Sequence, residues 1–208
     1  LFVSGDAAVD GAFETGAGEA TGDNTSVAMG AEDFFGNAPR ATGSDGAVAL
    51  GKGTLASGSA STAVGTVTTA GGDAAVALNQ DTNASGDAAL AAGQATTASG
   101  ADGALAAGFG TIASGDFGAT ALGTATIASG DNGAIAVGNE VEAGGTSSVA
   151  IGLNDTFYTV AQDNTMAVMG GSVGVGTTNP SSLLTIGETG RIEFVNSTVI
   201  GRGASGSG

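Results

Sequence analysis

The chain has no cysteine, histidine or tryptophan, and only four of its 208 residues are basic. Disulfides are therefore excluded. General bases and catalytic nucleophiles usually involve histidine or cysteine, so we expect no catalytic, cofactor-binding or metal-binding residues and no enzyme activity. A glycosidase needs only two carboxylates, but no acidic pair stands out from the regularly spaced aspartates of this sequence.

Positive charge is equally scarce. Twenty acidic side chains outnumber the four basic ones, and the formal net charge is −16. Because such a chain repels phosphate backbones and anionic lipid surfaces, we expect no nucleic-acid partner. The sequence also lacks a run of about eighteen apolar residues, and we therefore expect no membrane-spanning segment.

Glycine, by contrast, is abundant, with 40 residues, and much of it recurs every fourteen or fifteen positions in two columns. Asparagine, the residue other than glycine that best tolerates a left-handed backbone, interrupts the first column once. This column therefore predicts a positive φ and a corner in every repeat, and the second column predicts another corner. The first column is Gly30, Gly51, Gly65, Asn79, Gly93, Gly108, Gly123, Gly138 and Gly152; the second is Gly22, Gly43, Gly58, Gly72, Gly86, Gly100, Gly115, Gly130 and Gly145.

Two corners leave room in each repeat for two segments of about five residues each. In the first segment large apolar residues alternate with Ala, as in Val48-Ala49-Leu50, and this period of two is typical of a β-strand. The second segment reads Thr-x-Ala, as from Thr54 to Ala56, and predicts another short strand. The expected fold class is all-β: a parallel β-roll, or narrow β-solenoid, with 14–15-residue repeats and eight or nine coils.

The core of such a roll is thin. Glycine loses more conformational entropy on folding than any other residue, and an alanine methyl group buries little apolar area. Because disulfides are excluded, oligomerisation is the remaining way to stabilise it. Three identical chains that bury their Val, Ile and Leu face in a closed ring form the simplest assembly that leaves no apolar face uncovered. We therefore expect a homotrimer.

Two parts of the repeat region carry a family resemblance. The segments 129–138 (Ser-Gly-Asp-Asn-Gly-Ala-Ile-Ala-Val-Gly) and 146–152 (Thr-Ser-Ser-Val-Ala-Ile-Gly) resemble the head repeats of trimeric autotransporter adhesins, whose consensus reads Ser-Val-Ala-Ile-Gly followed by Ala-x-Ala-x-Gly. The resemblance covers about residues 20 to 152. It implies a left-handed parallel β-roll of three chains, displayed outside a bacterial cell and used for attachment, but it transfers no specific binding residues.

A second resemblance begins after the repeats. Residues 171–186, which include Val-Gly-Val-Gly-Thr-Thr-Asn-Pro-Ser, resemble a segment of phage tail fibres and related bacterial surface fibres. We therefore divide the chain into a repeat rod (1–152), a junction (153–170), a short fibre-type β module (171–200) and a flexible tail (201–208). In the module, Pro180 is expected to mark the turn between strands at 173–175 and 183–186.

Two interruptions of the repeat supply the candidate contact residues. The insertion at 32–40 makes one interval seven residues longer than its neighbours and contains Phe34 and Phe35. Paired aromatic residues in a loop can anchor a receptor, whether glycan or protein. Alternatively, they cap the N-terminal end of the roll or pack between chains. Phe157 and Tyr158, in the second interruption, are further candidate contacts, although they indicate a wider core at a junction more than a site.

Aspartate follows the second glycine column in many repeats. We expect each carboxylate to be solvated and to accept a hydrogen bond from the backbone N–H two residues ahead, as turns often require. A cation held between stacked carboxylates, such as calcium, is the alternative. The column comprises Asp6, Asp23, Asp73, Asp87, Asp116 and Asp131, with Asp45 and Asp102 one position later.

A threonine column raises the question of ice binding, because regular Thr-x-Thr ladders on a flat solenoid face can bind ice. Only two coils contain such a pair, Thr66 with Thr68 and Thr124 with Thr126. Inward packing of threonine beside alanine is therefore the preferred interpretation.

The function indicated is that of a non-enzymatic, extracellular, adhesive fibre, built as a homotrimer on a cell surface. The alternative is a phage tail fibre, which would have the same fold on a virion. An ice-binding protein is a further alternative that the sequence favours less. The expected partners are identical chains and a receptor that the sequence does not identify.

Overall fold

The computed structural model describes residues 13–16, 18–22 and 26–186, and all regular structure in these residues is β-strand. No helix in this described part is long and apolar enough to cross a membrane. The chain divides into two compact units, Leu1–Gly171 and Ser172–Gly208. The first is a parallel β-solenoid of about ten coils, which confirms the predicted all-β, parallel fold class. Some predicted features lie outside the described residues: the tail at 201–208 and two members of the aspartate column, Asp6 and Asp23.

Each coil gives one long strand to one sheet and one short strand to the other. The long-strand sheet contains β1 (Phe13–Gly16), β3 (Val27–Ala31), β5 (Val48–Lys52), β7 (Thr62–Thr66), β9 (Val76–Gln80), β11 (Leu90–Gln94), β13 (Leu105–Phe109), β15 (Thr120–Thr124), β17 (Ile135–Asn139), β19 (Val149–Gly152) and β21 (Met166–Met169). The short-strand sheet contains β2 (Glu19–Ala20), β4 (Arg40–Ala41), β6 (Leu55–Ala56), β8 (Thr69–Ala70), β10 (Asn83–Ala84), β12 (Thr97–Ala98), β14 (Ile112–Ala113), β16 (Ile127–Ala128), β18 (Val141–Ala143) and β20 (Tyr158–Val160). The short strands have two or three residues, fewer than the five expected from the sequence.

The register stacks equivalent positions of successive coils. Val48 pairs with Thr62, fourteen positions later, and Gly51 pairs with Gly65. Both interruptions of the repeat are looped out, so that Val27 pairs with Val48 and Val149 with Met166. The segment 153–170, expected to be a junction, carries β20 and β21 and therefore continues both sheets. This continuation contributes to a coil count above the eight or nine expected.

The interior is filled by alanine. From β3 to β19 the second residue of each long strand points inward, and Ala63, Ala77 and Ala91 have no exposed surface; Ala70 and Ala84 of the short strands are equally buried. Because neighbouring side chains of a strand point to opposite faces, the large residues on either side of each inward alanine lie on the outer face. The core of one chain therefore contains few large apolar side chains.

Threonine completes this interior. The predicted inward packing is confirmed, because all six threonines of the column are buried: Thr54, Thr68, Thr82, Thr96, Thr111 and Thr126. Their Oγ1 atoms have no hydrogen-bond partner among the described residues. Val141, which precedes its short-strand alanine by two residues as these threonines do, is also fully buried, so the position accepts the same shape without a hydroxyl group. Within the described coils the column therefore presents no hydroxyl lattice to the solvent.

Both glycine columns lie where adjacent coils approach closely, and the first column has a left-handed backbone in addition. The positive φ predicted for the first column is confirmed at every position except Gly152, and Asn79 adopts a φ of 94°. The second column also lies at corners, as predicted, because each of its residues is in a bend, although none of them has a positive φ. A Cβ on Gly72 would overlap the carbonyl oxygen of Gly86 in the next coil, so this column is glycine because adjacent coils approach too closely for any side chain. The left-handed corner residues lie elsewhere, for example at Ala60 and Val67, with φ values of 53° and 55°.

In its described residues, 172–186, the second unit contains one small parallel sheet. Its strands are β22 (Val173–Val175) and β23 (Leu184–Ile186), with Val173 opposite Leu184 and Val175 opposite Ile186. Pro180 lies in the connection between them, as the sequence predicted. The rest of the predicted module, residues 187–200, lies outside the described residues.

The close approach of coils predicts a sharp difference between two neighbouring glycines. Gly72→Ala should lower the free energy of unfolding by about 1–3 kcal/mol or prevent folding, because its methyl group would meet the backbone of the next coil. Gly71→Ala is the matched control, since its nearest neighbour would be 3.9 Å away. Urea denaturation followed by circular dichroism measures both. Equal stability of the two variants would contradict the predicted coil spacing.

Candidate functional site

The insertion between β3 and β4 forms a compact loop that is closed by Asp33. The Oδ1 atom of Asp33 accepts hydrogen bonds from the backbone N–H groups of Phe35 and Asn37, both at 2.8 Å. Its Oδ2 atom accepts one from Nδ2 of Asn37, also at 2.8 Å. The backbone N–H of Asp33 in turn donates to the carbonyl oxygen of Asn37 at 2.9 Å. The loop is therefore held in one conformation by its own hydrogen bonds.

The following coil supports this loop. Gly53 lies against Asp33: a Cβ atom at Gly53 would be 2.8 Å from the Cβ of Asp33, and the φ of Gly53 is +59°. Its backbone N–H donates to the carbonyl oxygen of Ala31 at 3.2 Å. Both the space and the backbone conformation favour glycine at this position. The position of Asp33 thus depends on a small residue in the next coil.

Phe34 and Phe35 project from the loop into solvent, with exposed fractions of 91% and 84%. Their ring centroids are 5.5 Å apart in a T-shaped arrangement. A residue that capped the roll within its own chain would lose most of its exposed surface, and neither ring does. Packing against another chain and contact with a receptor both stay predictions for this pair.

A cleft of about 230 Å³ separates the loop from the outer face of the short-strand sheet. The loop contributes Asp33, Asn37 and Ala38 to its lining, and the sheet contributes Arg40, Leu55 and Thr69. The remaining lining residues, Gly53, Thr54 and Val67, come from the corners of the next two coils. The insertion is therefore what turns a flat sheet face into a concave one at this place.

The charges around this cleft are unusual for an acidic chain. Arg40 and Lys52 are the only basic residues in the described part of the sequence, and both lie next to the insertion. Arg40 pairs with Glu19 through Nε at 3.2 Å, and both side chains are about half exposed. The hydrogen bonds that the side chain and the backbone N–H of Asn37 donate to Asp33 are the main reason why its pKa is lowered. The positive charge of Lys52 lowers this pKa further. Asp33 is therefore ionised at neutral pH.

Phe157 and Tyr158 lie far from this cleft. Phe157 is about half exposed, whereas Tyr158 is partly buried against the core, and its backbone N–H donates to the carbonyl oxygen of Glu140 at 3.1 Å. We call the insertion at residues 32–40 the Phe34 loop. Eight coils separate it from the corner at Phe157, a distance of roughly 40 Å at about 4.8 Å per coil. The structure thus brings Phe34 and Phe35 together but does not join them to the second candidate pair.

The sequence analysis missed some exposed residues. Phe109 and Phe117 are 55% and 61% exposed, at opposite corners of the coil. Of the residues that line the cleft, Asn37 and Arg40 belong to the insertion that the sequence indicates as a candidate site. Leu55 and Thr69 do not, and the sequence analysis did not identify them. Their position in the column that precedes each short-strand alanine was the available signal.

The aspartate column makes a contact that differs from the expected one. Asp73 Oδ1 accepts a hydrogen bond from the backbone N–H of Ser59, and Asp87 Oδ1 accepts one from the backbone N–H of Asp73. Equivalent bonds to Asp116, Asp131 and Asp163 also come from the preceding coil. The expected bond from two residues ahead is therefore wrong for the four column members Asp73, Asp87, Asp116 and Asp131, because the stacked coil brings a nearer donor. Among the described residues no group of three or more acidic side chains is placed to hold a metal ion.

No protein-family model matches the chain, and no curated protein matches it.

The hydrogen bonds of Asp33 predict that the loop depends on pH. Because the pKa in the folded loop is lowered, the stabilising charge is fully present above the ordinary value of 3.8 and is lost as the pH falls through the lowered pKa. We expect the NMR order parameters of Phe35 and Asn37 to fall below about pH 4. Asp33→Asn should show no such dependence. Order parameters that stay constant in the unchanged protein down to about pH 2 would contradict this role.

Proposed function

We propose that this protein is a non-enzymatic, extracellular adhesive fibre in which three copies of the solenoid pack side by side. The observation that carries the proposal is the outer face of the long-strand sheet. Its first and third strand positions form two continuous columns without a single charged residue, which we call the apolar ladder. The ladder consists of Val27 and Met29, Val48 and Leu50, Thr62 and Val64, Val76 and Leu78, Leu90 and Ala92, Leu105 and Ala107, Thr120 and Leu122, Ile135 and Val137, and Val149 and Ile151.

The apolar ladder is only partly covered in a single chain. Most of its side chains keep an intermediate exposure, and Met29 and Leu78 are each 36% exposed. A contiguous apolar face of this length on a soluble chain is typical of a protein–protein interface. The interior offers no alternative place for these side chains, because alanine and threonine already fill it.

The opposite outer face is different. The column that precedes each short-strand alanine contains Glu19, Arg40, Thr69, Asn83, Thr97 and Glu142 as well as a few apolar residues. This mixture of charged and polar side chains suits contact with solvent. One face for association and another for exposure favour a closed assembly in which identical ladders meet around a common axis. The resemblance of residues 20–152 to adhesin heads is the reason why we propose three copies, a left-handed winding and an extracellular location.

The adhesive role is supported by what lies outside the ladder. The Phe34 loop projects from a corner of the coil and belongs to neither inner nor ladder-facing surface. A rigid rod built of stacked coils sets the distance between an attachment point and this loop. Exposed aromatic side chains on a preorganised loop have the properties of binding hot spots.

The alternative proposal is a phage tail fibre with the same trimeric rod. It is favoured by one observation, that the segment resembling tail fibres forms a compact unit of its own with a two-stranded sheet. An adhesin and a tail fibre differ in the surfaces to which they attach. Beads coated with the protein should bind animal-cell matrix or abiotic surfaces if it is an adhesin, and bacterial cells if it is a tail fibre.

The apolar ladder predicts the effect of a single charge on assembly. Leu122→Glu should dissociate the trimer, because a carboxylate buried between apolar faces is strongly disfavoured. Asn83→Glu, on the outer face of the short-strand sheet, is the matched control and should leave the mass unchanged. Light scattering after size-exclusion chromatography measures the mass. A monomeric unchanged protein, or a Leu122→Glu variant that stays trimeric, would refute the proposed assembly.

The exposed rings of the Phe34 loop predict that their replacement weakens attachment. Replacing Phe34 and Phe35 together by Ser should reduce attachment of coated beads by about tenfold or more, as loss of a hot spot does, while the oligomeric mass stays the same. Phe117→Ser, at the other corner, serves as the control. A loss of oligomeric stability in the double variant would show instead that the two rings pack between chains.

A further inference from the structure

The cleft beside the Phe34 loop contains polar groups that the fold does not use. Arg40 engages Glu19 through Nε, and its two terminal nitrogens have no hydrogen-bond partner among the described residues. Asn37 uses Nδ2 to hold Asp33, which leaves its side-chain carbonyl oxygen as a possible acceptor. Within the same described part of the chain, Thr69 Oγ1 has no partner either. Two donors and an acceptor of hydrogen bonds therefore line one concave surface.

From this arrangement we infer that the cleft binds an acidic monosaccharide unit, such as a uronic or sialic acid at the end of a glycan. A guanidinium group matches a carboxylate through two parallel hydrogen bonds. Asn37 and Thr69 can exchange hydrogen bonds with ring hydroxyl groups, and Leu55 and Val67 offer an apolar wall to the C–H face of the sugar. The volume of about 230 Å³ is below that of sites for drug-sized ligands and suits a single ring. The inference rests on the proposed adhesive function and names the ligand class of its loop.

Basic side chains offset the negative charge of the chain beside this cleft, and Asp33, the acidic residue of its lining, already accepts hydrogen bonds from Phe35 and Asn37. The chain carries a net charge of −16, and its surface as a whole repels anions. Of the two basic residues in the described part, Arg40 nevertheless lines the cleft and Lys52 directly precedes its lining residue Gly53. Glu19 competes for Arg40 in the absence of a ligand, and a carboxylate on the sugar would take over part of that interaction.

A saccharide is favoured over an acidic peptide by the topology. Peptides often bind by adding a strand to an open sheet edge, but β4 and β6 beside the cleft are each paired on both sides. The loop also presents two exposed phenyl rings, whose faces can contact the apolar side of further sugar rings. The cleft lies on the short-strand sheet, so association through the apolar ladder does not use its lining residues.

The test uses the whole protein and methyl glucuronide as the probe. NMR titration at up to roughly 10 mM should shift the backbone amide signals of Asn37 and Thr69, whereas methyl glucoside, which has no carboxylate, should bind at least about tenfold more weakly. Arg40→Gln should weaken glucuronide binding by a similar factor. Glu19→Gln should strengthen it about threefold, because it removes the competing carboxylate.

A second pair of variants separates the cleft from the general sheet surface. Thr69→Val should weaken binding severalfold, and Thr97→Val, at the equivalent position two coils later, should leave it unchanged. Equal binding of glucoside and glucuronide, equal effects of the two threonine variants, or no shift at Asn37 and Thr69 would each overturn the inference. Stronger binding of pentaglutamate than of the glucuronide would identify a peptide site and would also overturn it. If the unchanged protein attaches to its target but binds no acidic sugar, only this inference fails and the proposed adhesive function stands.

Discussion

The close approach of successive coils is the constraint on which the rest of this structure depends. Each coil is a long and a short strand bent back on each other, and the stacking distance is that of neighbouring strands in a sheet, about 4.8 Å. At Gly72 and Gly123 the next coil already occupies the space of a Cβ atom. Mostly alanine, serine and threonine fit inside so narrow a coil, and the largest fully buried side chain is that of Val141. A column that must be small in one repeat must be small in all of them, and this requirement produces the repeat seen in the sequence.

The same constraint moves the large apolar side chains to the outer face. In most proteins valine, leucine and isoleucine form the core, but here they form the apolar ladder, while alanine forms the core. One chain alone gains little free energy from burying methyl groups and must also order many glycines. Covering the ladder with identical copies would supply the missing apolar burial. Stability and assembly are on this account two aspects of one arrangement, and the exposed corners are left for contact with other molecules.

The sequence predicted those features that depend on a single coil. The alternation around Ala49 indicated a strand, Asn79 indicated a positive φ, and the threonine column was correctly assigned to the interior. Features that depend on the stacking of coils were not predictable in the same way. The aspartate carboxylates bond to the previous coil, the second glycine column is needed for space, and Ala31 lies beside Lys52 only because the insertion is looped out of the register. The cleft beside Arg40 depends on that same register and so was not evident from the sequence.

The most direct test of the central claim is the environment of a spin label on the apolar ladder. Because the chain has no cysteine, Leu122→Cys allows a single label to be attached. The account predicts an immobilised label with strong dipolar coupling to its copies in neighbouring chains, whereas a label at position 83, from Asn83→Cys on the other face, should be mobile. A freely mobile and uncoupled label at position 122 in the assembled protein would contradict the claim that identical chains cover this face.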